Sequence, residues 1–212
     1  MIHSADPLQA RGREAAQKAL AAGLCVAIPT DTVYVLAVDP FVPGASDRLF
    51  ELAGRSREQD LPVFVASVWQ ALNLATSVPD ASRRLMDRCW PGPLTLVLPR
   101  DPEVAADLGD DDLTIGLRMP DHPVPLLLCR DVGPLAVATA GAQGEPDFET
   151  AEEVAEEFDE SEVPVVLDGG SCTGLPSTVV DGTGEDVHLI REGRLPWATL
   201  LEALGRSGGP DS

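Results

Sequence analysis

Residues 27–40, "AIPTDTVYVLAVDP", place two hydroxyls and a carboxylate between two apolar segments. Thr30, Asp31 and Thr32 lie at this junction, and Tyr34 follows them. An Asp in a tight connection between strands is common, because its side chain can hydrogen-bond to the backbone of the turn. Hydroxyl and carboxylate groups at strand ends can equally bind a small ligand. Both interpretations are open on these residues alone.

Three arginines lie at or near the ends of apolar segments. Arg118 ends "LTIGLR", Arg191 ends "VHLIR", and Arg55 follows the helical segment "LFELAGR". In an acidic chain each of them could simply form a surface ion pair. Together with the glycine-containing loops 141–144 and 169–174, they favour a site for a carboxylate or a phosphate. Guanidinium groups bind such anions through paired N–H groups, and glycine lets backbone N–H groups approach them closely.

Motifs for several common sites are absent from the sequence. There is no G-x-x-x-x-G-K-[ST] loop, and no G-x-G-x-x-G follows a strand. The four cysteines and three histidines are scattered without the spacing of a zinc site, so we expect no zinc. Cys172, in the loop segment "GGSCTG", has no evident histidine partner. A structural thiol is therefore favoured there over a catalytic nucleophile.

The charge of the chain bears on its partners. Its 212 residues carry a formal net charge of -20, with a single lysine, Lys18, among the basic residues. Such a surface repels phosphate backbones, so we do not expect nucleic-acid binding. No apolar segment approaches the roughly 20 residues that span a membrane, and the N-terminal residues lack the apolar core of a signal peptide. We expect a cytoplasmic protein without membrane contact.

Helix and strand signals alternate along the whole chain. Helices are predicted at 8–22, 43–55, 67–75, 79–90, 122–131, 147–158 and 196–204, with short apolar strands between them. Thr150 is the predicted cap of the sixth helix. The segment "STVVDGTGEDVHLI" predicts an antiparallel hairpin, which indicates a mixed sheet. We therefore predict one α/β domain, residues 1–204, with a twisted mixed sheet flanked by helices, and a disordered tail at 205–212.

Seven segments occur in the order found in a known protein family. They are "IPTDTVYVLAVDP", "LFELAGRSREQDLPVFVAS", "WPGPLTLVLP", "IGLRMPDHP", "GPLAVATAGAQGEP", "LDGG" followed by "PSTVVD", and "LIREG". On these segments the chain resembles the YrdC-like family over about residues 8–204. Each segment is weak evidence alone, but seven in register make a specific match. The resemblance implies the α/β fold of that family, with "PTDTVY", "LRMP", "ATAGAQG" and "PSTVV" around one concavity.

The family's enzymes are threonylcarbamoyl-adenylate synthases. They condense L-threonine, bicarbonate and ATP, with Mg²⁺, into threonylcarbamoyl-AMP and pyrophosphate, and the product serves to modify adenosine 37 of tRNA. The resemblance implies two groups of contact residues in this chain. The threonine side comprises Thr32, Tyr34, Arg118, Thr139 and Ser177, and the nucleotide side comprises Arg55, Thr114 and Arg191.

The chain also departs from the family pattern. The family's "KGRP" is "AGRS" here, so Ala53 replaces a lysine, and Gly141 replaces the asparagine of "TSAN.SG". Val35 stands in place of the glycine of "VYGL", and Asp60 adds a carboxylate before "LPV". Loss of a cation near a triphosphate weakens stabilisation of the charge that develops on the leaving pyrophosphate. The departures therefore weaken the nucleotide side and leave the threonine side intact.

Three accounts of these departures are open. The chain is a synthase in which another basic residue, such as Arg57, replaces the lysine; or a degenerate paralogue that binds an amino acid or nucleotide; or a related carbamoyl or adenylyl transferase. A fourth possibility is double-stranded RNA binding through a basic concave face, which family members have been thought to do. The net charge of -20 argues against it.

Overall fold

The structure, a computed structural model, describes residues 2–4, 10–140, 147–172 and 174–205. The helices in these ranges are α1 Ala10–Ala21, α2 Ala45–Leu52, α3 Val68–Leu72, α4 Asp80–Cys89, α5 Pro123–Val132, α6 Ala151–Glu157 and α7 Trp197–Ala203. The strands are β1 Ile2–Ser4, β2 Val26–Ile28, β3 Val35–Val38, β4 Val63–Phe64, β5 Leu94–Pro99, β6 Thr114–Arg118, β7 Leu135–Thr139, β8 Val165–Asp168, β9 Thr178–Asp181 and β10 His188–Arg191. Every predicted helix is present; α5 is shifted by one residue and the others are slightly shorter than predicted.

All of these strands form one mixed sheet in the order β1-β8-β2-β3-β7-β4-β6-β5-β9-β10. Strands β8 and β2, β4 and β6, and β5 and β9 pair in parallel, whereas β3 pairs antiparallel with both β2 and β7. The predicted hairpin is the antiparallel pair β9–β10. The α/β fold with a mixed sheet is thus confirmed.

Helices cover both faces of the sheet, because strand residues alternate between two apolar clusters. On one face, α1 and α5 pack on a cluster that includes Val35, Phe64 and Val137. On the other face, α2, α4, α6 and α7 contribute to a larger cluster that includes Tyr34 and Leu36. The alternation of Tyr34, Val35 and Leu36 thus assigns neighbouring residues of one strand to opposite sides.

Local interactions explain the start of α6. The Thr150 hydroxyl accepts a hydrogen bond from the backbone N–H of Glu153, and the Glu153 carboxylate accepts one from the N–H of Thr150. This reciprocal pair satisfies two N–H groups that have no partner within the helix. Thr150 is therefore the helix cap that its position predicts.

Three further features concern strand β1, the lengths of the described helices and the C-terminal tail. Strand β1 pairs in parallel with β8 and is not predicted by the sequence pattern. Within the described ranges, no helix is both long enough and apolar enough to cross a membrane. Apart from Gly205, the predicted disordered tail 205–212 lies outside the described residues.

Candidate functional site

A cavity of about 260 Å³ opens on the face of the sheet that carries Val35, Phe64 and Val137. It contains seven of the eight side chains predicted as contacts: Thr32, Arg55, Thr114, Arg118, Thr139, Ser177 and Arg191. These residues come from segments spread over the length of the chain. The predicted concavity is therefore present.

Strand alternation explains how these residues meet. Thr114, Gly116 and Arg118 are alternate residues of β6, and all three line the cavity. On the neighbouring β5, Thr95 and Val97 line the same surface. The floor is the face of the sheet, and the loops that follow its strands supply the walls.

Arg118 is the most constrained polar residue of the cavity. Its Nε donates to the carbonyl of Gly92 at 3.1 Å, and its Nη1 donates to the Thr32 hydroxyl at 3.1 Å. Its Nη2 donates to a carboxylate oxygen of Asp31 at 2.6 Å. The guanidinium also lies over the ring of Phe64, at 5.5 Å from the centroid. Burial lowers the pKa of Arg118, and the adjacent Asp31 carboxylate acts in the opposite direction.

The Thr30–Thr32 junction has both of the roles that its sequence suggests. The Thr30 hydroxyl donates to the carbonyl of Val33 and accepts from the N–H groups of Thr32 and Val33, which forms a tight turn. The hydroxyls of Thr30 and Thr32 lie 2.8 Å apart. The Thr30 proton is directed to the Val33 carbonyl, and the Thr32 hydroxyl accepts a hydrogen bond from Nη1 of Arg118. Thr30 therefore builds the turn, and the next two side chains turn towards Arg118.

Ser177 also lines the cavity and is held by its neighbours. Its hydroxyl lies 2.9 Å from that of Thr95, and its carbonyl accepts a hydrogen bond from Nη2 of Arg191 at 2.9 Å. Sequence reasoning did not single out Thr95, although it lies in the quoted segment "WPGPLTLVLP". Its position in a strand, two residues before the cavity residue Val97, is the sequence signal that could have identified it.

Residues of the predicted nucleotide side are already engaged in hydrogen bonds within the protein. Arg55 donates to the carbonyls of Gln59 and Asp60, at 2.8 and 3.0 Å. Burial lowers the pKa of Arg55, and Arg191 contributes in the same direction. Thr114 donates from its hydroxyl to the carboxylate of Asp111 at 2.7 Å.

Asp60 also lines the cavity. Burial raises the pKa of its carboxyl, opposed by a hydrogen bond from the backbone N–H of Asp111. A carboxylate at this position opposes the binding of phosphate groups, as the departures from the family pattern suggested. Within the described ranges, no group of three His, Cys, Asp or Glu side chains is placed to hold a metal ion.

Tyr34 is the one predicted contact that lies elsewhere. Its ring is fully buried in the cluster on the other face of the sheet, while its neighbours Val33 and Val35 line the cavity. Its hydroxyl donates to the carbonyl of Gly170 at 2.9 Å and accepts from the N–H of Gly169 at 3.1 Å. Burial raises the pKa of Tyr34 to about 12. The resemblance pointed to a segment that does line the cavity. Side chains alternate along this segment, however, so Tyr34 points away from the cavity.

The departures from the family pattern drew attention to Arg57, Ala53 and Gly141. Arg57 and Ala53 lie outside the cavity, and Gly141 lies outside the described residues. Arg57 forms ion pairs with Asp47 and other acidic residues and stacks on Phe50, and it does not line the cavity. Its availability as a substitute cation is therefore not supported. Ala53 is buried in the core beside α2 and does not line the cavity either. Gly141 lies outside the described residues.

Cys172 is a buried thiol whose sulfur donates to the carbonyl of Thr30 at 3.1 Å. Burial raises its pKa, which disfavours the reactive thiolate. This arrangement agrees with the structural role that its loop position suggested.

Comparison with known proteins identifies the family. The model of Sua5/YciO/YrdC proteins, described as "Telomere recombination", matches residues 18–193. The chain belongs to this Sua5/YciO/YrdC family. The resemblance to YrdC-like proteins is thus confirmed.

Several family members are similar over most of this chain. A "Putative threonylcarbamoyl-AMP synthase" of Mycobacterium tuberculosis (strain CDC 1551 / Oshkosh) is 40% identical over 203 residues, which cover 95% of this chain and 93% of that protein. The threonylcarbamoyl-AMP synthase of Pyrococcus abyssi is 36% identical over 86% of this chain, but the match spans only 54% of that longer protein. The structure of P. abyssi Sua5 complexed with L-threonine superposes with a TM-score of 0.84 at 36% identity, covering 93% of this chain and 58% of the other.

Proposed function

We propose that this chain is a threonylcarbamoyl-AMP synthase, which makes threonylcarbamoyl-AMP and pyrophosphate from L-threonine, bicarbonate and ATP for the modification of tRNA adenosine 37. The names of the M. tuberculosis and P. abyssi relatives support this activity. The observation that carries the proposal is one buried arginine, Arg118, in a cavity that also contains Thr32, Ser177 and Arg191. We expect the chain to act in the cytoplasm, where tRNA is available to it.

Arg118 is suited to the threonine carboxylate. Three of its five N–H groups are used by Gly92, Thr32 and Asp31, which leaves one N–H on each terminal nitrogen for a ligand. Two such groups can bind the two oxygens of a carboxylate. The hydroxyl of Ser177 is within the same cavity and can bind a polar group of the bound amino acid.

In the reaction, the threonine nitrogen bonds to the carbon of bicarbonate, with loss of water. An oxygen of the resulting carbamate then bonds to the α-phosphorus of ATP, and the bond to pyrophosphate breaks. Arg191 and Arg55 line the other side of the cavity, where they can neutralise phosphate charge. This is electrostatic stabilisation of the charge that develops on the leaving group.

The nucleotide carries its magnesium as a substrate complex. Asp60 is the carboxylate of the described cavity, and Mg²⁺ is commonly held by one or two carboxylates together with substrate phosphates. Asp60 would contact an ion that arrives with ATP, and the ion would then offset the repulsion between this carboxylate and the phosphates. The ion would supply neutralisation of the phosphate charge.

A second candidate function is a paralogue that binds threonine or a nucleotide but turns over slowly. Asp60 in the cavity favours this candidate, because its carboxylate reduces the positive charge around a triphosphate. Binding of double-stranded RNA is less well supported, since the chain has a net charge of -20.

Calorimetry with L-threonine tests the amino-acid side of the proposal. We expect binding to the wild-type protein and none to Arg118→Ala, with Arg130→Ala as the matched control. Arg130 is an exposed arginine paired weakly with Asp131, and it does not line the cavity. Equal heats for the wild type and Arg118→Ala would contradict the assignment. Release of pyrophosphate from L-threonine, bicarbonate and Mg²⁺-ATP then separates the synthase from the paralogue.

A further inference from the structure

Asp31 and Arg118 form an ion pair that is nearly closed to solvent. Nη2 of Arg118 lies 2.6 Å from Oδ1 of Asp31, and the two side chains are 4% and 12% exposed. The other carboxylate oxygen, Oδ2 of Asp31, is buried and has no hydrogen-bond partner among the described residues. A buried acceptor without a partner is unfavourable, so local structure alone does not account for this carboxylate. Arg118 donates the side-chain hydrogen bond that Asp31 accepts at its other oxygen, Oδ1.

Two more arginines lie in this part of the molecule, one bonded to Asp31 and one lining the cavity. Arg194 donates to the backbone carbonyl of Asp31, and Arg191 lines the cavity beside Ser177. Burial lowers the pKa of Arg118, and the charges of Arg194 and Arg191 contribute in the same direction. Without a counter-ion, a buried arginine next to two others would attract any small anion from solution.

We propose that Asp31 is a specificity-determining residue, because it is the resident counter-ion of Arg118 and prevents simple anions from occupying the cavity. The proposal rests on the proposed function in one respect, which is that Arg118 is the contact for the substrate carboxylate. With Asp31 present, the charge of Arg118 is already compensated, and an acetate ion gains little by entering. An amino acid gains further contacts from its other groups, so it binds where acetate does not.

The hydrogen bonds of Arg118 allow Asp31 to balance its charge while other groups hold the guanidinium in place. The Gly92 carbonyl and the Thr32 hydroxyl hold the guanidinium from Nε and Nη1, and the Phe64 ring lies against its face. These contacts remain when the charge of Asp31 is removed. Asp31→Asn should therefore leave Arg118 in place and leave its charge uncompensated.

The test is calorimetric titration of sodium acetate into the purified full-length chain. We expect Asp31→Asn to bind acetate at least tenfold more tightly than the wild type, and Asp31→Glu, which keeps the charge, to remain like the wild type. The double variant Asp31→Asn/Arg118→Met should lose the gain. Asp47→Asn is the matched control, since Asp47 pairs with Arg57 at the same 2.6 Å outside the cavity.

An unchanged acetate affinity in folded Asp31→Asn would overturn the proposal. A gain that persists in the double variant, or that also appears in Asp47→Asn, would overturn it as well, because the anion would then bind elsewhere. If Asp31→Asn does not fold, Asp31→Ser replaces it, because the smaller side chain leaves space for acetate beside Arg118. The acetate comparison uses no L-threonine, so failure of the wild type to bind L-threonine would count against the proposed function alone.

Discussion

The side-chain oxygens of Thr95 and Ser177 lie 2.9 Å apart at the wall of the cavity. Both residues are buried, and they belong to neighbouring segments of the sheet, since Thr178 follows Ser177 and pairs with Leu94. Because the hydroxyl is already fixed by a second hydroxyl, it loses little conformational entropy when it binds a ligand. The pair therefore fixes a ligand-facing group that sequence reasoning assigned to Ser177 alone.

Thr95→Val should weaken L-threonine binding by roughly 2- to 10-fold, about one hydrogen bond. Valine has nearly the same shape as threonine, so the change removes the hydroxyl and leaves the packing of β5. The measurement is calorimetry, with thermal unfolding as a check that the fold is intact. An affinity equal to that of the wild type would show that Ser177 does not depend on its partner.

Gly116→Ala should reduce ligand binding at least tenfold while the protein stays folded. A Cβ at this position would lie 3.5 Å from the Thr95 methyl and 3.6 Å from Pro62, which is ordinary contact, so the methyl fills the cavity floor without strain in the sheet. Gly184→Ala is the matched control, because its Cβ would meet only the Asp186 carbonyl, at 3.6 Å, on the exposed hairpin. Calorimetry with L-threonine is the readout. Equal losses in both variants would point to a general effect on folding.

Arg118→Met should lower the free energy of unfolding by about 3 to 5 kcal/mol, because it leaves the buried Asp31 carboxylate without its counter-charge. The double variant with Asp31→Asn should recover part of this loss. Urea unfolding of the wild type, both single variants and the double variant gives the coupling energy. Strictly additive effects would mean that the two side chains do not stabilise each other.

The contribution of Asp60 to the free energy of unfolding should fall as the pH rises from below 3.8 through the raised pKa of this carboxyl. Burial raises this pKa in the folded state above its ordinary value of 3.8, so the folded protein binds more protons than the unfolded chain in that range. Asp60→Asn should remove this contribution and be relatively more stable at neutral pH. Urea unfolding at several pH values, compared between the two proteins, measures the difference. A constant difference at all pH values would contradict the raised pKa.

Local signals predicted much of the fold. The helices, the β9–β10 hairpin and the Thr150 cap follow from periodicity and turn chemistry within a few neighbouring residues. Strand β1 was not predicted, because three residues carry no periodic signal and its pairing with β8 joins segments far apart in the chain.

The candidate site was predicted less evenly. The order of the family motifs identified seven of the cavity residues, since each belongs to a segment that matches the family pattern. The Asp31–Arg118 pair joins residues 87 positions apart, and no local pattern announces it. Alternation with Val33 and Val35 predicts that Tyr34 points away from the cavity. The resemblance to the family does not take this alternation into account.

Strand β10 is an end strand of the sheet, pairs only with β9 in the described chain and has four exposed residues. Its last residue, Arg191, nevertheless reaches the cavity. Such a strand can separate from its neighbour by local opening at a lower free energy than global unfolding. One wall of the cavity is therefore carried by a less stable part of the molecule, and a ligand that contacts Arg191 would slow amide hydrogen exchange along β10 more than in the central strands.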